Sequence, residues 1–118
     1  KFARSTVSRD SEDKIKADWG MINSLIKASG PSNLKQALIM ADRSLDTALR
    51  DVASGETMGE RLKNAESKYE KYFYNKIWEA HKMRNNLVHE ASFEPPYFMI
   101  NESLQTFKKA LEVLGVSV

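Results

Sequence analysis

Three observations predict an all-α fold, an antiparallel bundle of four to five helices. Apolar residues recur three and four positions apart in successive segments. Small clusters of Gly, Pro and Ser separate those segments, where helices stop and restart. No pair of alternating segments joined by a hairpin turn signals strands. At 118 residues the chain fits one domain with a single modest core.

Residues 1–9, KFARSTVSR, show little periodicity and read as a flexible lead-in or linker stub, leaving 10–118 as the bundle. The first helix is expected to start near Asp10–Asp13, where acidic side chains suit the positive end of the helix dipole. Ile15, Trp19, Ile22, Leu25 and Ile26 form its apolar face. Ser29-Gly30-Pro31-Ser32 should end it, Gly30 as the left-handed cap and Ser32 as N-cap of the next helix. That helix, about Asn33 to Val52, repeats Leu34, Leu38, Ala41, Leu45, Ala48 or Leu49, and Val52 in the pattern of a bundle seam. Thr57-Met58-Gly59-Glu60 matches a capping box, and capping is the expected role of Thr57 and Glu60 within the GETMGER stretch. A third helix carries Met58, Leu62, Ala65, Tyr69 and Phe73, with a junction at Tyr72–Asn75. The fourth, with Ile77, Trp78, Ala80, Met83, Leu87 and Val88, should end at Glu90–Ser92 because Pro95-Pro96 cannot continue it. The last has Ile100, Leu104, Phe107, Ala110, Leu111 and Leu114, stopping at Gly115.

Hydrophobic residues make up 42% and charged residues 29%, the balance of a globular domain rather than a disordered tail. No run approaches the ~20 apolar residues that a membrane helix needs, so this stretch makes no membrane contact of its own. No signal-peptide pattern is present, and the expected location is cytoplasmic. The chain opens at Lys1 rather than Met, so a segment is expected upstream. Absence of Cys excludes disulfides, thiolate nucleophiles and Cys-type zinc sites. A net charge of +2 is too mild for a protein that coats nucleic acid, so any such contact should be a local patch.

Arg84-Asn85-Asn86-Leu87-Val88-His89 is the segment that carries chemistry. Arginine offers a permanent cationic fork for phosphate, and histidine moves a proton near neutral pH. His81, Asn85 and His89 fall four residues apart on one helical stripe. His81 and His89 are separated by about 12 Å along the axis, too far to share one metal ion. With no HExxH and no clustered ligands, neither a metal nor a cofactor is expected. Arg84 and His89 are rotated from each other by about 140° on an ideal helix. A site using both therefore calls for a loosened helix or a second subunit, which makes a homodimer the expected assembly.

If that site is catalytic, RNA cleavage is the natural reaction, because the ribose 2′-OH is an internal nucleophile. His89 would act as general base or acid. Arg84 would neutralise charge on the phosphorane, and Asn85 would orient His89 or a phosphate oxygen. The products would be a 2′,3′-cyclic phosphate, or its opened form, and a 5′-OH. The plain alternative makes His89 a helix C-cap, pairs Arg84 with Glu79, Glu90 or Glu94, and has Asn85-Asn86 end a helix or line an interface.

Trp78-Glu79-Ala80-His81-Lys82-Met83-Arg84-Asn85-Asn86-Leu87-Val88-His89-Glu90, in a helical domain of this size, resembles the HEPN superfamily. Helical pattern supports the resemblance over roughly Asp10 to Gly115, and specific residues support it between Trp78 and Glu90. It is similar in particular to uncharacterised bacterial proteins sharing this block, the GETMGER loop and a closing Leu-Gly helix. The resemblance implies a small, commonly dimeric bundle and, in many members, a metal-independent ribonuclease with an Arg-x4–6-His motif. It carries Arg84, Asn85 and His89 over as active residues and assigns His81 no role. A hydrophobic anchor ahead of the domain, and so a membrane tether, is a further implication. Other members keep the fold as binding or toxin-neutralising modules.

The competing expectation is accordingly a non-catalytic module that dimerises or binds a protein or nucleotide. Tyr72-Phe73-Tyr74 and Phe93-Glu94-Pro95-Pro96-Tyr97-Phe98 could form its surface, with core packing the expectation for Phe73 and Phe98. A third reading, RNA binding through Lys68, Lys71, Lys76, Lys82, Lys108 and Lys109, competes with a solvated face, since acids interleave them.

Overall fold

The computed structural model describes residues 4–118, and among them there is no strand. Five α-helices follow in order: α1 (Arg9–Ala28), α2 (Pro31–Val52), α3 (Met58–Asn64), α4 (Lys71–His89) and α5 (Tyr97–Val113). A single 3-10 turn, Glu66–Lys68, lies between α3 and α4.

α2 is the axis of the bundle and packs against each of the other four helices. Its seam reads as expected, with Leu34, Leu38, Ala41, Leu45, Ala48, Leu49 and Val52 all buried. The alanines let neighbouring backbones come close, and the leucines fill the gaps between them. Ile15, Trp19 and Ile22 of α1 enter the same core, as do Ile100, Leu104, Phe107, Ala110 and Leu111 of α5. Trp19 donates its indole N–H to Ser44 Oγ at 2.9 Å, and Ser44 donates in turn to Ala41 O at 2.7 Å. The indole N–H and the Ser44 hydroxyl, both buried, are thereby satisfied.

Several boundaries differ from the sequence expectation, each for a local reason. α1 begins at Arg9, with Ser8 Oγ accepting from Ser11 N at 3.2 Å. The residues ahead of it are docked: Ser8 N donates to Asp51 Oδ2 at 2.8 Å and Arg4 N to Asp51 O at 2.7 Å. Residues 1–3 of the expected lead-in lie outside the described residues. At the α1–α2 turn Ser29, not Gly30, is the C-cap, at φ 61°. Gly30 becomes the N-cap of α2, and Ser32 lies inside the helix rather than capping it. Pro31 explains the early start, since proline at the first helical position loses no hydrogen bond and has its φ preset.

The larger correction concerns α3. It ends at Asn64, so Tyr69 and Phe73 are not part of it, and the junction falls at residues 65–70 rather than Tyr72–Asn75. Glu70 starts α4, its carboxylate accepting from Tyr72 N at 2.7 Å and Phe73 N at 3.0 Å. Those two bonds hold the Glu70 carboxyl below its usual range. Two phenols pin the junction: Tyr69 donates to Ala110 O at 3.0 Å and Tyr74 to Leu62 O at 3.1 Å. Burial pushes the Tyr69 phenol well above its ordinary range, so it remains a donor. α4 ends at His89 and α5 begins after Pro96, close to the expected limits. Phe73 is partly buried against the core, whereas Phe98, expected in the core, is exposed together with Tyr97 and Tyr72. No helix among the described residues is long and apolar enough to cross a membrane.

Candidate functional site

The face of α4 that meets α2 carries His81, Arg84 and Asn85, one helical turn deep. Opposite them α2 presents Asp42 and Asp46, and the start of α3 closes one end with Thr57, Met58 and Gly59. Between these walls lies an open cleft of about 520 Å³. Arg43 and Arg50 line it too, and both are exposed.

Asp42 is the centre of this arrangement. Its carboxylate is 1% exposed and bridges a histidine and an arginine of α4. His81 Nδ1 donates to Asp42 Oδ1 at 2.8 Å, and Arg84 Nε lies 3.3 Å from Asp42 Oδ2. An ionised carboxylate has no proton to give, so this bond fixes Nδ1 as the protonated nitrogen of His81. Arg84 Nη1 donates to Asn85 Oδ1 at 2.7 Å. Arg84 Nε is nevertheless out of line with its neighbour and has no hydrogen-bond partner, although it is buried. About 30% of the Arg84 side chain remains exposed, so the guanidinium is held from behind and open in front.

One turn further along α2, Asp46 is occupied differently. Arg61 Nε and Nη2 donate to its two oxygens at 2.8 and 3.0 Å, and Arg61 Nη1 donates to Gly55 O at 2.9 Å. Gly55 adopts φ 142°, and a Cβ there would come within 2.8 Å of Arg61 N. The loop must therefore carry glycine at this position. The capping box is also present: Glu60 N donates to Thr57 Oγ1 at 3.1 Å, while Glu60 Oε1 accepts from Glu56 N at 2.7 Å. The carboxylate thus reaches one residue upstream of the N-cap. The GETMGER stretch is a clamp that anchors α3 on α2 and forms one end of the cleft.

Of the three expected site residues, the structure brings Arg84 and Asn85 together and leaves His89 apart. His89 is the last residue of α4, exposed, and outside the lining of the cleft. Arg84 pairs with Asp42 on another helix, not with Glu79, Glu90 or Glu94. Asn85 orients Arg84 rather than His89. His81 and Asp42 are the residues that sequence reasoning missed. The signal for His81 was present, at three and four residues before Arg84 and Asn85. Asp42 was hidden because its partners lie 39 and 42 positions away along the chain.

Among the described residues, no group of three His, Asp or Glu side chains comes together in a way that could hold a metal ion. No protein-family model, curated protein or solved structure matches this chain.

Proposed function

We propose that this chain is a HEPN-like module acting on RNA, a metal-independent endoribonuclease whose site is completed by a second copy of the chain. The observation that carries the reading is Arg84: a guanidinium braced by Asp42 and Asn85 yet facing an open cleft. That is what a group needs if it is to receive a phosphodiester without first being reorganised. Once Asn85 Oδ1 has accepted from Arg84, its amide N–H₂ is left to donate to a phosphate oxygen. The 2′-oxygen attacks phosphorus, Arg84 takes up the charge growing on the non-bridging oxygens, and the 5′-oxygen leaves with a proton. His89 is the exposed histidine available for proton transfer. Its rotation away from Arg84 fits a groove in which it serves the partner copy. Labelled single-stranded RNA incubated in chelator tests this. Wild type should leave cyclic phosphate ends, and Arg84→Ala and His89→Ala should not; cleavage that needs added metal overturns the reading.

A non-catalytic dimerisation or partner-binding module is the second reading, favoured by Tyr97 and Phe98, which stand 50% and 67% exposed at the start of α5. Under it His89→Ala lowers the melting temperature and no RNA is cut.

A further inference from the structure

We infer that His81, held by Asp42, is a catalytic base for cleavage in the α2–α4 cleft, paired across the dimer with the partner copy's His89. This rests on the ribonuclease reading above and deepens it. Cleavage by the 2′-hydroxyl moves two protons: one leaves O2′ as the O2′–P bond forms, and one joins O5′ as the P–O5′ bond breaks. Nothing is oxidised or reduced, and no water enters until the cyclic phosphate opens. Two proton-transfer groups must therefore reach oxygens on the same phosphorus.

The chain has only two histidines, and both are on α4. Eight residues apart, they are separated by about 12 Å along that helix, so one protomer's pair cannot flank one phosphate. His81 is the one already beside Arg84. It lines the cleft, its side chain is 13% exposed, and its Nδ1–H is spent on Asp42 Oδ1. With Nδ1 bearing the proton that hydrogen-bonds Asp42, the base form of the ring has its lone pair on Nε2. The carboxylate behind it stabilises the imidazolium that forms when the 2′-proton is taken. The charges lining the cleft are Asp42, Arg43, Asp46 and Arg50 from α2 and Arg84 from α4. Both acids are already engaged, Asp42 by His81 and Arg84, and Asp46 by Arg61 and Arg50, so neither is free for that role. His89, exposed at the end of the partner's α4, then supplies the proton to O5′.

The test uses chelator-treated RNA cleavage by wild type, Arg84→Ala, His81→Asn, His81→Gly and His89→Ala. His81→Asn keeps an N–H for Asp42, so it should melt and dimerise as wild type does while cutting at least ~100-fold more slowly. Added imidazoles should restore His81→Gly, faster as the imidazole becomes more basic. A subunit-exchanged equal mixture of His81→Asn and His89→Ala should regain about a quarter of wild-type activity, because half the dimers hold one intact composite site. His81→Asn cutting at the wild-type rate while Arg84→Ala is dead overturns this inference and leaves the ribonuclease reading standing. Inactivity that no imidazole rescues makes His81 a positioning residue for Arg84 and overturns the base. A mixture that regains nothing overturns the exchange of histidines between copies. Wild type silent on all RNAs overturns the ribonuclease reading, and this one with it.

Discussion

Asp42 and Asp46 are one helical turn apart on α2, and the two carboxylates have opposite company. Asp46 receives two parallel N–H groups from Arg61 at 2.8 and 3.0 Å, with Arg50 adding a third contact at 3.3 Å from the exposed side. Arg61 spends its remaining fork on Gly55 O, and both residues are nearly covered. Bidentate geometry of this kind is strong and directional. Asp42 is more deeply buried, yet its arginine is misaligned, keeps an unpartnered Nε and opens onto a cleft. A buried donor without a hydrogen bond is costly, which sets Arg84 Nε apart from the fully matched Arg61. The satisfied cluster is a clamp. Its neighbour leaves the outer side of the Arg84 guanidinium open to the cleft, the side on which the proposed site would take a phosphate.

Asp46→Ala should have the largest effect, about 3 kcal/mol of lost stability, since it strands the covered Arg61. Urea unfolding measures it, and cleavage per folded molecule should stay unchanged; a loss of cleavage would merge the two clusters into one. Arg84→Ala should do the reverse. On the proposed ribonuclease reading, roughly 100-fold of cleavage should disappear, about 2.7 kcal/mol of transition-state stabilisation, with a much smaller change in the unfolding midpoint. A midpoint that falls as far as in Asp46→Ala would make Arg84 a structural residue. Arg61→Lys keeps the charge but not the fork, and should cost about 1 kcal/mol by the same unfolding measurement.

The smallest effect concerns a third α2 carboxylate, Asp51, which ties down the residues before α1. Burial alone would raise its carboxyl, but hydrogen bonds from Ser8 and Ser11 and the charge of Arg4 outweigh that and hold it below 3.8. A carboxyl lowered by folding stabilises above its unfolded value and loses that contribution as pH falls through the folded one. Wild type should therefore melt higher than Asp51→Asn at pH 7, and the gap should narrow below about pH 4. A constant gap would assign the effect to packing.

Apolar periodicity made the seam of α2 and the inner faces of α1 and α5 legible, because each of those residues answers to one solvent-facing question. The α3–α4 break was not. Leu62, Ala65, Tyr69 and Phe73 keep a three- and four-residue beat across it, since both sides of the break face the same core. The stop itself is written in Glu70, a less favoured N-cap residue than Ser, Thr, Asp or Asn. Arg84 and Asn85 could be singled out as cleft residues from local spacing, but Asp42 could not. A polar residue amid a hydrophobic repeat gives no hint of which distant helix it will meet.

α2 touches every other helix, and α5, one of its main partners, is the last to be made. During synthesis α1 and α2 can close their hairpin at once across the Ser29-Gly30 turn. The side of α2 reserved for α5 has no cover until Val113 has left the ribosome. The nascent chain therefore carries an open apolar groove from the completion of α2 until α5 arrives as the lid that covers it.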